Sequence, residues 1–238
     1  MQFVQAQFSL KYEPFFKIRR YVNEIEDILE PLYTPPQTMP IPDDFAAEAP
    51  RMILNSKNGH SQISFSQIAV DFIVNFDGEY SDKFDLTQRY LDERIRMLID
   101  LLDQIGRKNY YYFGMTYNVR LDIQNEIPTE YLKKRLGVKI NRETAYEISQ
   151  RIASVEDDRF FVNKQISTFR EYQGKGENIP NLMDFSNSIL VDEGVIVTLD
   201  INNRYAYLKT GKSVSMKHFF SDMKIIAEKL KSNIKDLE

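Results

Sequence analysis

Residues Gln62–Phe76, QISFSQIAVDFIVNF, run for fifteen positions without Pro or Gly and are dominated by β-branched and aromatic side chains. That composition suits a pleated, half-buried surface, so the stretch predicts a strand. Its alternation changes phase part-way. Ile63 and Phe65 fall on odd numbers, whereas Ile68, Val70, Phe72, Val74 and Phe76 fall on even ones. One extra residue near Gln67, a β-bulge, would bring all of them to the same face. A long bent strand with one oily face needs helices laid across it.

The flanking chain offers such partners. Phe3–Leu10 alternates as a strand, and Phe15–Leu32 carries Ile18, Tyr21, Val22, Ile25, Ile28, Leu29 and Leu32 at helical spacing. Six of the nine prolines lie between Pro31 and Pro50, which predicts a stiffened surface loop with room for a docking or lid role. Arg51–Asn55 then reads as a short strand, joined to the central one through a turn at Ser56-Lys57-Asn58-Gly59. Downstream, Asp85 is placed to cap a helix bearing Leu91, Ile95, Leu98, Leu102 and Ile105, closed by Gly106. Asn109–Ile123 alternates from Tyr111 to Ile123 and reads as another strand. Residues 1–125 thus give strand, helix, strand, strand, helix, strand, the order of a ferredoxin-like βαββαβ unit.

The remainder, residues 126–238, reads as helix, helix, strand, strand, helix. Helices are expected at Thr129–Leu136 and Arg142–Val155, and strands at Arg159–Tyr172 and Ser188–Ile201. Tyr205–Leu208 is expected as a short strand continuation, and a long amphipathic helix over Ser215–Leu237. The fold class is α+β, with antiparallel sheets covered by helices and the two parts packed as one unit.

With 42% hydrophobic and 28% charged residues the chain is an ordinary folded protein, and its net charge of −4 gives no global attraction for nucleic acid. The absence of cysteine removes disulfides, thiolate nucleophiles and zinc fingers, and two histidines, His60 and His218, are too few for a histidine-rich metal site. No cofactor or metal is expected. The opening residues lack the charged lead and apolar run of a secretory signal, and no apolar segment is long enough to span a bilayer, so a cytoplasmic location without membrane contact is expected.

The opening strand FVQAQFSLKYEP, the hairpin APRMILNSKNG leading into QISFSQIAVDFIVNF, and the late strand VDEGVIVTLDIN resemble a sporadically distributed family of uncharacterised bacterial and archaeal proteins. That family tends to carry an acidic residue where this chain has Gln5, and Asn-Trp-Arg where it has Asn75-Phe76-Asp77. The resemblance brings no catalytic residue. Its patchy occurrence implies accessory or mobile-element genes, including defence loci.

Chemical candidates are sparse. Thr210-Gly211-Lys212-Ser213 stands where a phosphate loop would, between an expected strand and helix, so Gly211, Lys212 and Ser213 are candidate phosphate contacts. The glycine that should open such a loop is replaced by Ala206, which favours a simple turn and helix cap. The acidic doublets Asp43-Asp44, Asp157-Asp158 and Asp192-Glu193 read as solvated turns and ends, because adjacent residues cannot converge on one metal. Tyrosines at Tyr110 and Tyr112, beside Arg107, Lys108 and Arg120, could stack nucleic-acid bases, but the usual RNA-binding signature is missing. The last helix spaces Met216, Phe219 or Phe220, Met223, Ile226 or Ala227, Leu230, Ile234 and Leu237 nearly as a coiled coil. Packing on its own sheet is its default role. Self-association is the alternative, with Tyr110, Tyr112, Phe219, Met223 and Leu230 as candidate partner contacts.

The function expected is therefore that of a non-enzymatic binding or scaffold protein, a homodimeric accessory in a bacterial multi-protein system. A SecB-like client-binding chaperone and a nucleic-acid or nucleotide-binding subunit are the alternatives.

Overall fold

The computed structural model describes residues 1–137, 145–174 and 188–237. The chain is mixed α and β with antiparallel sheets. The elements in order are β1 (Gln2–Lys11), a 3-10 turn (Ile18–Tyr21), α1 (Val22–Leu29), β2 (Gln37–Thr38), β3 (Met52–Asn55), β4 (Ser61–Phe65) and β5 (Ala69–Asn75). After them come α2 (Gly78–Asp82), α3 (Phe84–Gln104), β6 (Asn109–Tyr110), β7 (Tyr112–Leu121) and α4 (Pro128–Leu136). The chain continues through β8 (Ser149–Glu156), β9 (Phe160–Gly174), β10 (Ser188–Asn202), α5 (Arg204–Thr210), β11 (Val214–Ser215) and α6 (Phe219–Lys235). Nine strands form one sheet in the order β2-β3-β4-β5-β1-β7-β10-β9-β8, every neighbour antiparallel, while β6 and β11 pair separately.

The stretch Gln62–Phe76 is not one bulged strand. It folds back at Ser66-Gln67-Ile68 into the hairpin β4–β5, with Ile63 opposite Phe72 and Phe65 opposite Val70. The phase change therefore marks a reversal. All four side chains still share the core face, but by pairing across a turn. The turn has neither Gly nor Pro and is held by distant partners. Ser66 N–H bonds the Ala69 carbonyl at 2.9 Å, and the Tyr12 hydroxyl donates to the carbonyls of Ser66 and Ala69, each at 2.9 Å. Gln67, itself buried, gives its backbone N–H to Ala47 O and its side-chain amide to Asp43 O.

Over residues 1–125 the array is longer than the four strands expected, because β2 and β3 add beyond β4. Within it the path β5–α2–α3–β7 joins two strands that run parallel on either side of β1, and β4, reached from β1 through α1, runs parallel to β1 on the far side of β5. The helix-helix-strand-strand-helix reading of the second part also changes. Residues 149–155, expected as the end of a helix, lie in β8 on the edge of β9, and Tyr205–Leu208, expected as strand, lie within α5. Residues 142–144 of that expected helix fall outside the described residues. Ile148, Ile152 and Val155 do have helical spacing. The adjoining Asp157-Asp158 overrides it, because both adopt left-handed backbone (φ 51° and 53°) and turn the chain into β9.

The sheet has two unlike faces. One is sealed by α1, α3, α4 and α6 and carries Phe8, Phe72, Phe113, Tyr117, Val197 and Leu199, all fully buried. Phe219 of α6 sits 4.4 Å from the ring of Phe113 and 5.9 Å from that of Phe8 (centroid to centroid), so a helix from the far end of the chain closes over two strands of its first half. The other face is polar. A ladder of amides and a hydroxyl crosses four neighbouring strands: Gln5 donates to Asn75 (2.9 Å), Asn118 to Gln5 (3.3 Å) and Thr198 to Asn118 (2.8 Å).

Candidate functional site

The residues singled out as partner contacts mostly lie inside. Tyr110, Phe219 and Leu230 are fully buried and Met223 is 6% exposed, so α6 covers its own sheet rather than offering its apolar stripe to another molecule. The reason is local. The break at Tyr111 turns Asn109–Tyr110 off the main sheet to pair with Val214–Ser215, which carries the Tyr110 ring under α6. There its hydroxyl donates to Asp222 Oδ2 at 3.4 Å, and burial raises its pKa well above the ordinary tyrosine range. Asp222 also accepts from Arg159 at 2.7 Å and from Asn203 at 3.2 Å, a network that locks α6 to the β8–β9 turn. Tyr112 is half-buried, its ring 5.7 Å from Tyr207 of α5.

Thr210–Ser213 follows a helix and precedes the two-residue β11, not the strand–loop–helix setting of a phosphate loop. Gly211 (φ 64°) terminates α5 in the left-handed conformation, its N–H bonding Tyr207 O at 2.7 Å, and Lys212 N–H bonds Thr210 Oγ1 at 3.3 Å. The Gly211 and Lys212 amides that would have to wrap a phosphate are thus taken. Lys212 and Gly211 are exposed, and Ser213 is half-buried.

Two arginines pin the proline-rich loop. Arg51, fully buried, donates to Ala49 O and Phe45 O, both at 2.9 Å. Arg19 reaches Met39 O at 2.8 Å, Ile41 O, and the Asp43 carboxylate at 2.7 Å. Two of the acidic doublets are engaged in ion pairs at both residues, and the third through Asp43. Asp157 meets Lys229 and Asp158 meets Lys209, while Asp192 meets Arg120 and Glu193 meets Arg170. His60 Nδ1 lies 3.5 Å from Asp77 at the mouth of a small cleft.

What sequence reasoning missed is at the rims of the sheet. At one rim stands β2, two residues long and bracketed by Pro35, Pro36, Pro40 and Pro42, a form that blunts an edge against further pairing. The opposite rim, β8, is built the other way. It has eight residues, no proline, and Ser149–Val155 all exposed, including Ile152 at 56%. The bond from Thr168 N–H to Ile148 O (3.0 Å) sets the pleat, so the even-numbered residues of β8 bond to β9. The N–H and C=O groups of Ser149, Arg151, Ala153 and Val155 therefore point away from the sheet.

Beside this rim, β9 and β10 run on as a two-stranded ribbon. β10 pairs with β7 only from Val195 onward, and Ser188–Gly194 pair with β9 alone across a register shift at Val191. Ile189, Leu190 and Val191 are exposed there at 52%, 42% and 53%, three consecutive apolar residues that the shift denies a regular inward face. The ribbon's root is rigid. Arg120 pairs with Asp192 at 2.7 Å and stacks 4.5 Å from the centre of Phe169, and a side chain at Gly194 would collide with that ring at 2.8 Å.

Among the described residues no helix is long and apolar enough to cross a membrane. No family model matches the chain, and no curated protein is detectably similar to it.

Proposed function

We propose that this protein is a non-enzymatic binding or scaffold protein, an accessory that joins a larger assembly through the β8 edge and the β9–β10 ribbon. The observation that carries the reading is the contrast between the two rims of one sheet. Proteins protect exposed edges because unpaired backbone groups recruit other strands. Here one rim carries that protection and the other presents four outward-facing residues beside the exposed Ile152, Val155, Ile189, Leu190 and Val191. Strand addition at such a rim takes its strength from main-chain hydrogen bonds, and neighbouring apolar side chains select the partner. The clamped proline-rich loop at the opposite rim and the hydrogen-bonded amide ladder across the middle strands act as the scaffold that carries it. Membership of a bacterial defence or mobile-element system, and a cytoplasmic setting, accord with the family resemblance and belong to the same proposal.

Incorporating a photo-crosslinking residue singly at Val155, Leu190 and Phe16 tests it in cells. Phe16 is 62% exposed and serves as an apolar control away from β8. Discrete protein adducts at 155 and 190 but not at 16 are expected. Adducts only at 16, or none at any site, would remove the contact reading. A thermal shift with ATP or GTP at millimolar concentration would instead favour the nucleotide-binding alternative.

A further inference from the structure

We infer that the occupant of the β8 edge is a second copy of this chain, joined strand to strand about a two-fold axis that passes beside Ile152. The inference rests on the reading of β8 as a contact surface and names its partner.

The geometry leaves few registers. Across an antiparallel pair, opposed residues either both turn their N–H and C=O toward each other or both turn them away. Because outward groups belong to Ser149, Arg151, Ala153 and Val155, an odd-numbered residue must face an odd-numbered one in the second copy. The self-pairing that engages all four sets Ser149 opposite Val155 and Arg151 opposite Ala153, and then repeats in reverse. It makes about eight main-chain hydrogen bonds, two for each of the four opposed pairs.

That register is also the one the side chains favour. Its axis brings Ile152, 56% exposed on the helix-covered side of the sheet, against Ile152 of the second copy in a non-hydrogen-bonded pair, where side chains approach most closely. No like charges stand directly opposite, since Arg151 faces Ala153 and Glu156 faces Ile148, and the two Arg151 residues are only diagonal neighbours, at a Cα separation of roughly 8 Å. Moving the axis to Arg151 would oppose two guanidinium groups, and moving it to Ala153 would leave Ser149 without a partner. A strand whose fullest self-pairing also matches its apolar residue and separates its charges is complementary to itself, the property an isologous interface requires.

The test uses the full-length chain. Light scattering at tens of micromolar is expected to give twice the 28.0 kDa chain mass. Ala153→Pro removes only an outward N–H, which β9 does not use, so it is expected to keep the far-UV circular dichroism spectrum and halve the mass. The chain has no cysteine, so a single introduced thiol reports one distance. Ile152→Cys places two thiols across the axis at a Cα separation of roughly 4.5 Å, within disulfide range, and should oxidise to a covalent dimer. Ala153→Cys places them roughly 8 Å apart and should give at least about tenfold less. A monomeric wild-type chain, an Ala153→Pro variant that stays dimeric, or cross-linking at 153 equal to that at 152 would each overturn the inference. Cellular adducts at Val155 together with a monomeric pure protein would refute the second copy and leave the contact reading standing. Loss of both would end both.

Discussion

Tyr12 shows how a single residue decides the topology here. Its phenol lies inside the protein, 1% exposed, and bonds two carbonyls of the β4–β5 turn more than fifty positions away in sequence. Tyr12→Phe keeps the ring and withdraws the donor, leaving the Ser66 carbonyl short of its partner, while Ala69 O keeps the Ser66 N–H, at a cost of about 1–3 kcal/mol. Urea unfolding should show that loss with an unchanged slope, and amide exchange should speed first at Ile68. An unchanged midpoint would mean the turn holds itself.

Buried tyrosines also set a pH dependence. Burial holds the hydroxyls of Tyr12, Tyr110 and Tyr117 far above the ordinary range and pushes Tyr33 up to about 12. A raised folded-state pKa means that the neutral form is favoured in the fold. The contribution is complete below the unfolded value near 10, and for Tyr33 it is lost as pH climbs from there to about 12. Stability should fall above pH 10 by up to about 1.4 kcal/mol per pH unit for each such tyrosine. Absorbance at 295 nm should show these four of the 14 tyrosines ionising only as the chain unfolds. Titration of all of them as one class near pH 10, with the fold intact, would contradict the burial.

At the scale of elements, what the sequence reveals is what short-range pattern controls. The alternation of Phe113, Met115, Tyr117, Val119 and Leu121 in β7, the stripe of α3 and, in α6, Phe219, Met223, Ile226, Leu230 and Ile234 are buried as their spacing predicts, while Phe220 and Ala227 are half-buried. The β4–β5 reversal was hidden because its turn takes its hydrogen bonds from Tyr12 and the proline-rich loop rather than from Gly or Pro. β8 was hidden because SQRIASVE reads equally as one helical turn after another or as a strand, and only the free edge of β9 decides it. The candidate contact surface is illegible for the same reason. An exposed edge is a property of strand order, and no residue in β8 announces that it is the last strand of the sheet among the described residues.

For the whole molecule, the consequence of that strand order is a shared core. Strands β7 and β10, from the two parts of the chain divided near residue 125, pair at eight positions from Val195 opposite Leu121 to Asn202 opposite Gly114. Phe219, from the far end of the sequence, closes over Phe8 and Phe113, and Asp222 on the same helix holds Arg159. Neither part can lose its fold without uncovering the core face of the other. Unfolding in urea should therefore be one transition, with far-UV circular dichroism, tyrosine fluorescence and calorimetry coincident and the calorimetric and van't Hoff enthalpies equal. A chain ending at residue 125 would expose the edge of β7 and the rings of Phe8 and Phe113, so it should aggregate or remain molten rather than show a transition of its own. If that shorter chain instead melts cooperatively and stays monomeric, the core face of residues 1–125 is sufficient by itself, and the continuity of the sheet through β7 and β10 adds docking rather than folding energy.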